Sequence, residues 1–235
     1  MSAKLYLIPN LLGTEGSVEK SLPGYNLKTI ENLRHFAVEH VKDSRRFLVK
    51  CGLKPLIDQS EFEEINKHSE IDSYSRIQGW LKAGHSVGVI SDAGCPGIAD
   101  PGASLAKWAH KNNIRVEPLI GPSSILLALI ASGMNGQSFS FHGYLDKDSS
   151  KRKEQLLTIE SKVAKSGESH LFMETPYRNE ALFEELVRML NPNSLLCIAM
   201  DLSLPSEDVR TKTIAEWKKQ KPKLKKRPAI FILGR

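Results

Sequence analysis

Short apolar runs alternating with segments of helical period constrain this chain more than any single motif does. The runs are "KLYLI", "FAVEHV", "SVGVI", "RVEPLI", "SFSFHGY", "HLFME", "LLCIAM" and "AIFILG". Each is rich in Val, Ile, Leu or Phe and bounded by turn residues, the pattern of a β-strand. Between them Ile71, Tyr74, Ile77 and Leu81 fall on one helical face, and Leu182, Leu186 and Leu190 on another. Strands alternating with helices predict an α/β protein whose sheets are covered by helices on both faces. "FAVEHV" reads as a strand rather than as more of the helix suggested by Ile30 and Leu33, because Lys42, Asp43 and Ser44 supply a break and a helix start. With 235 residues, 40% of them hydrophobic, the chain can build one large domain or two small ones. The best boundary is "LIGPSS", where a strand ends in Gly-Pro and Ser123 or Ser124 caps the helix "ILLALIASG". It predicts α/β domains over residues 1–119 and 120–235, joined tightly and without a linker.

No apolar run approaches the roughly 20 residues that cross a bilayer. The start "MSAKLYLIPN" reads as one lysine before a short strand, not as a signal peptide. Cys51, Cys95 and Cys197 are odd in number and far apart, with no C-x-x-C and no histidine in zinc spacing. They are expected to be reduced thiols of a cytoplasmic protein with no metal site. The net charge of +6 and pI of about 9.1 are compatible with a polyanionic partner. The excess is concentrated in "KKQKPKLKKR", Lys218 to Arg227, with a second cluster in "KDSSKRK". Such runs either neutralise phosphates or form solvated, mobile loops.

The segment "SDAGCPGIADPG", Ser91 to Gly102, follows the strand "VGVI" and precedes the helix "ASLAKWAHKNN". In an open α/β sheet, ligands sit at the carboxyl ends of strands. Glycines there let backbone N–H and C=O groups approach a ligand, and prolines hold that backbone still. Asp92 and Asp100 add acceptors, although both could also be helix-capping residues in a long turn. "GPSS", Gly121 to Ser124, is a second loop of this kind, and two on one sheet edge suggest one pocket. Neither G-x-x-x-x-G-K-[ST] nor G-x-G-x-x-G occurs. "GHSVG" fits a hydrolase nucleophile pattern, but Ser86 follows a helix and leads into a strand, the reverse of the required elbow. "METPYR" places Glu174 and Arg178 at a strand-to-helix junction with Pro176 in the first helical turn, and "KDSRR" offers Asp43 and Arg45 on a loop.

Taken together, "LYLIPNLLG", "DSRR", "SDAGCPGIADPG", "GPSSILLALIASG", "FSFHGYL", "METPYR" and "RPAIFILG" resemble the tetrapyrrole methylase superfamily. Within it they are most similar to the bacterial rRNA small subunit methyltransferase I group, which methylates a ribose 2′-hydroxyl. The resemblance runs along nearly the whole chain. It implies two α/β domains with mixed sheets, S-adenosylmethionine in the cleft between them, and a homodimer. It also implies that Asp92, Ala93, Gly94 and Ile98 line the methionine and ribose side, with Ser123 and Ser124 beneath and Pro9 near the cleft. Glu174, Thr175, Ala199, Met200, Pro228 and Ala229 would close around the adenine. The sulfonium already activates the methyl group, so the protein must align the acceptor and exclude water. A hydroxyl acceptor also needs a base or a charge for the emerging alkoxide. Asp43, Arg45, Glu174 and Arg178 are the catalytic candidates, the carboxylates as bases and the arginines as clamps on phosphate or developing charge.

Where family members read E-D-T-R this chain has "KDSR", so Lys42 replaces an acid. Where they read E-L-T-K it has "DLSL", so Leu204 replaces a lysine. The expected activity is methyl transfer to RNA, an rRNA ribose of the small ribosomal subunit if the family substrate is retained. A tetrapyrrole or other small-molecule acceptor is one alternative, and a non-catalytic S-adenosylmethionine- or RNA-binding protein is another.

Overall fold

In the first half of the chain, strand residues of opposite parity go to opposite faces of one sheet. The computed structural model describes residues 2–65 and 74–235, so Ile71 lies outside the described residues. The chain divides into two compact units, Met1–Ser123 and Ser124–Arg235. The first runs β1 (Lys4–Ile8), α1 (Val18–Ser21), α2 (Gly24–Glu31), β2 (His35–Val38), α3 (Val41–Lys50), α4 (Lys54–Ile57), β3 (Glu61–Glu64), α5 (Ser75–Lys82), β4 (Val87–Ile90), α6 (Ala103–Lys111) and β5 (Arg115–Pro118). Its sheet has the order β3-β2-β4-β1-β5 and every pairing is parallel. Mixing of strand directions, expected of both sheets, is therefore confined to the second unit.

Leu5, Ala37, Val87 and Val89 pack with Ile77, Trp80, Leu81, Leu105 and Ala109 of α5 and α6. Ile8, Phe36, Val38 and Ile90 face the other way, onto Ile30, Leu33, Phe47 and Leu48 from α2 and its end and from α3. Burial on both faces explains why the central strands read as continuous apolar runs rather than as alternating ones. Gly88 makes the second face possible, since a Cβ there would stand 2.5 Å from Ile8 Cδ1 and 3.0 Å from Leu33 Cδ1.

The strand "FAVEHV" ends early. β2 stops at Val38, and α3 begins at Val41 after the extended residue His40. Asp43 and Arg45 consequently lie in the first turns of a helix, not on a loop. Burial of Ser44, Phe47 and Leu48 at i, i+3 and i+4 gives that helix its core face.

The second unit runs α7 (Ser124–Ser132), β6 (Phe139–Tyr144), α8 (Ser149–Ser166), β7 (Ser169–Met173), α9 (Asn179–Met189), β8 (Leu195–Met200), β9 (Asp208–Thr213), α10 (Ile214–Lys219) and β10 (Ala229–Gly234). Its sheet order is β6-β7-β10-β8-β9, with β6 and β7 parallel and the other pairs antiparallel. Phe172, Ile198, Met200, Phe231 and Leu233 pack with α8, α9 and α10 through Leu156, Leu182, Leu186 and Trp217. The Trp217 indole donates to Leu196 O at 2.8 Å, satisfying its one buried polar atom. Pro176 lies in a turn before α9, which begins at Asn179, so it precedes the first helical turn instead of occupying it. The Arg178 N–H closes that turn on Thr175 O at 2.9 Å.

Candidate functional site

In a parallel sheet all carboxyl ends lie on one edge, and the first unit gathers its candidate residues there. Pro9 and Asn10 follow β1, Glu39 and His40 follow β2, Ser91–Gly102 follows β4, and Gly121 follows β5. Asn10 is the organiser of this edge. Its backbone forms a two-way bridge with Gly94, N–H to Gly94 O at 2.8 Å and O from Gly94 N–H at 3.2 Å. Its amide Nδ2 donates to Ser91 O at 3.0 Å and Asp92 O at 3.1 Å, while Oδ1 accepts from the Leu11 N–H at 2.7 Å. The loop is thus held by its own peptide groups. Ala99 and the glycines 94, 97 and 102 adopt positive φ. A Cβ on Gly94 would meet Leu12 Cδ2 at 3.3 Å and Pro122 O at 3.7 Å, so the glycine keeps the loop close to the β5 turn. The Cys95 thiol reaches the same Pro122 O at 3.5 Å, and burial holds it above its ordinary pKa. Gly121 in turn lies against the Pro9 ring, where a Cβ would come within 2.2 Å.

The side chains on this edge are acidic. Asp92 and Ala93 are exposed and Ile98 is half-exposed at the loop tip. The Asp92 N–H donates to Glu39 Oε2 at 3.1 Å, and Asp92 Oδ2 lies 2.6 Å from His40 Nδ1. That hydrogen bond, followed by the charges of Asp92, Glu39 and Glu64, raises the His40 pKa above its ordinary value. His40, Asp43 and Asp92 bring donor atoms within 4.8 Å of one another. Asp43 Oδ1 also accepts from Arg46 at 2.9 Å. Arg45 lies apart from that group, its guanidinium 5.3 Å from the centre of the Phe62 ring. Ser123 closes the first unit and Ser124 opens α7 in the second.

In the second unit, antiparallel pairing brings the start of β10 beside the ends of β7 and β8. Ala229 pairs with Met200, and Ile230 with both Ala199 and Met173. Glu174, almost fully buried, accepts from the Thr175 N–H at 2.6 Å and from Arg178 Nη2 at 2.6 Å. The Asp201 N–H donates to Pro228 O at 3.0 Å. Arg227 Nε donates to buried Asp201 Oδ2 at 2.6 Å, and Arg227 Nη2 to Ser206 O at 2.5 Å. Asn179 Nδ2 donates to Arg227 O at 2.7 Å, which ties the three loops together. Asp201, Ser203 and Lys226 all take positive φ here, a concentration of unfavourable backbone that the surrounding bonds must hold. Leu204 follows in the same turn, its N–H on Asp201 O at 3.0 Å.

Several residues that organise these edges escaped the sequence reading: Asn10, Glu39, His40, Asn179, Asp201 and Arg227. His40 was hidden inside an apparent strand, and Arg227 inside a charge run. Asn10 carried a signal, an amide directly after Pro9 at the end of the first strand.

No family model matches the chain. It is 28% identical to ribosomal RNA small subunit methyltransferase I of Vibrio cholerae over 212 residues, 90% of this chain and 69% of that one. The Bacillus subtilis protein of the same name is also 28% identical over 212 residues, 90% of this chain and 68% of its own. Among solved structures, uroporphyrin-III-C-methyltransferase from Thermus thermophilus matches with a TM-score of 0.57 and 19% identity, covering 100% of this chain and 93% of that one. Another Thermus thermophilus structure, of uroporphyrin-III C-methyl transferase complexed with S-adenyl homocysteine, matches with a TM-score of 0.55 and 14% identity over 99% of this chain and 98% of that one. The fold is that of the tetrapyrrole methylases.

Proposed function

We propose that this chain, a homologue of the ribosomal RNA small subunit methyltransferase I proteins with the tetrapyrrole methylase fold, transfers a methyl group from S-adenosylmethionine to an RNA ribose hydroxyl. The observation that carries the reading is the Ser91–Gly102 loop, fixed by Asn10 at the carboxyl edge of a parallel sheet and bordered by carboxylates. Asp92 presents an exposed carboxylate on a loop whose peptide groups are held in place, and an edge carrying Glu39, Asp43 and Asp92 suits a ligand with a sulfonium cation. The residues fit the cofactor in that respect. Bound there, S-adenosylmethionine supplies an electrophilic methyl group. Asp92, Ala93, Gly94, Ile98, Pro9, Ser123 and Ser124 hold its methionine and ribose parts. Glu174, Thr175, Ala199, Met200, Pro228 and Ala229 take the adenine. The charged side chains Asp43, Arg45, Glu174 and Arg178 handle the acceptor.

Calorimetric titration with S-adenosylmethionine and S-adenosylhomocysteine tests the reading. Losing a hydrogen bond to a charged group costs about 1.5–3 kcal/mol, so Asp92→Ala should weaken binding about 10- to 150-fold. A folded wild-type protein that binds neither molecule would sink the proposal, and an unchanged Asp92→Ala would move the cofactor elsewhere. Methylation of undermethylated small ribosomal subunits, with a tetrapyrrole as the competing acceptor, then identifies the substrate.

A second copy of the chain is the expected partner. The helix α7 leaves Leu126 half-exposed and Ile130 78% exposed, apolar surface of the kind that a dimer covers. Sedimentation equilibrium should return twice the chain mass, and a monomer at micromolar concentration would exclude the homodimer. A cytoplasmic location accords with three cysteines in no disulfide and with an RNA substrate. Among the described residues no helix is long and apolar enough to cross a membrane.

A further inference from the structure

His40 stands among carboxylates, yet nothing in the catalytic assignment above uses its side chain. Its Nδ1 is 2.6 Å from Asp92 Oδ2, and its side chain is 61% exposed. A carboxylate at Nδ1 fixes the tautomer: Nδ1 carries the proton and donates to Asp92, leaving the Nε2 lone pair for a second partner. Asp92 is itself oriented, because its N–H is held by Glu39 at 3.1 Å and its C=O by Asn10 at 3.1 Å. The His40 backbone is fixed too, its carbonyl accepting the Ser44 N–H at 3.0 Å in the first turn of α3. The result is an exposed imidazole with one nitrogen tied down, placed after β2 and bonded to the loop expected to hold the methyl donor.

We propose that His40 is the general base of the methyl transfer, with Asp92 as its orienting partner. The proposal rests on the methyltransferase reading above and deepens it. In the balanced step the acceptor hydroxyl gives its proton to His40 Nε2 and its oxygen bonds the methyl carbon, while the carbon–sulfur bond breaks and leaves its electron pair on sulfur. His40 then returns the proton to solvent, to which it is open. Among the charged groups facing it are Asp92 from the loop after β4, Glu39 from the end of β2, Glu64 from β3, and Asp43 from α3. All are carboxylates, so they favour the imidazolium and strengthen the neutral ring as a base. The sign follows directly: the neutral form is the active one, so the rate is low below the raised pKa of His40 and climbs as pH rises through it.

Three measurements test this. Imidazole titration followed by NMR should put the His40 midpoint above 6.5 in the wild type and lower in Asp92→Asn, a readout that needs no turnover. His40→Gln should keep S-adenosylmethionine affinity within about twofold, lose about 10²–10⁴-fold in methyl transfer, and lose the acid limb of the pH profile. His40→Asn serves as the second variant, and since the side chain is mostly exposed both should fold. Retention of the rate or of the same acid limb in these variants overturns the base while leaving the methyltransferase intact. A wild-type rate that requires added magnesium and loses that requirement in His40→Gln also overturns it, by giving the cluster to a cation. A wild type that binds no S-adenosylmethionine removes the inference together with the reading beneath it, and one that binds it but never methylates a hydroxyl removes the inference and the hydroxyl acceptor while leaving the cofactor assignment.

Discussion

The edges of the two units are held in different ways. The Ser91–Gly102 loop of the first unit is fixed by backbone bonds and one asparagine, and its ionisable groups stand in water: the side chains of His40 and Asp92 are 61% and 38% exposed. The corresponding edge of the second unit is pinned by an ion pair, Arg227 to Asp201, with Asp201 only 8% exposed. The His40–Asp92 charge in the first edge is therefore available for chemistry, whereas the Arg227–Asp201 charge in the second is spent on architecture. Arg227→Ala breaks the comparison if it proves mild. It leaves Asp201 Oδ2 with the Ser206 hydroxyl as a donor and takes the Arg227 guanidinium from the carbonyl of Ser206. Removing one partner of a buried pair costs about 3–5 kcal/mol, and the partial exposure of Arg227 puts the expectation near the low end, about 3 kcal/mol. Urea denaturation should show that loss, against about 0.5 kcal/mol or less for Asp92→Ala. Equal costs at the two positions would mean that the first edge also depends on its charges for stability.

The same contrast explains what the sequence disclosed. Loops built from local backbone conformation announce themselves through glycine, proline and asparagine, and "SDAGCPGIADPG" did so. The central strands were legible because burial on both faces makes them continuous apolar runs. The strands β3 and β9, "EFEE" and "DVRTKT", were not, because they sit at sheet edges where polar side chains are tolerated and even protective. Long-range charge pairs leave no local trace: nothing near Arg227 in sequence indicates Asp201, 26 residues earlier. His40 was illegible for a related reason. Its partner lies 52 residues away, and only the parallel pairing of β2 with β4 brings the two loops together.

The lysine-rich run sharpens the comparison, because it holds both kinds of charge within ten residues. Arg227 is committed to Asp201, and Leu224, fully buried in the core of the second unit, anchors the backbone midway. The Lys226 N–H is held by Pro176 O at 3.2 Å, so this segment is an attached loop with an ordered path. Lys223, Lys225 and Lys226 remain exposed around that anchor. If they neutralise RNA phosphates, each contributes about 0.7 to the slope of log affinity against log salt for a single strand. The triple alanine variant should accordingly flatten that slope by about 2 and weaken RNA binding uniformly across sequences, while stability in urea stays within about 0.5 kcal/mol of wild type because none of the three is buried. A wild-type slope retained by the variant would assign these lysines to solvent and send the search for the RNA surface to the cluster at the start of α8, where Lys147, Lys151 and Lys153 are also exposed.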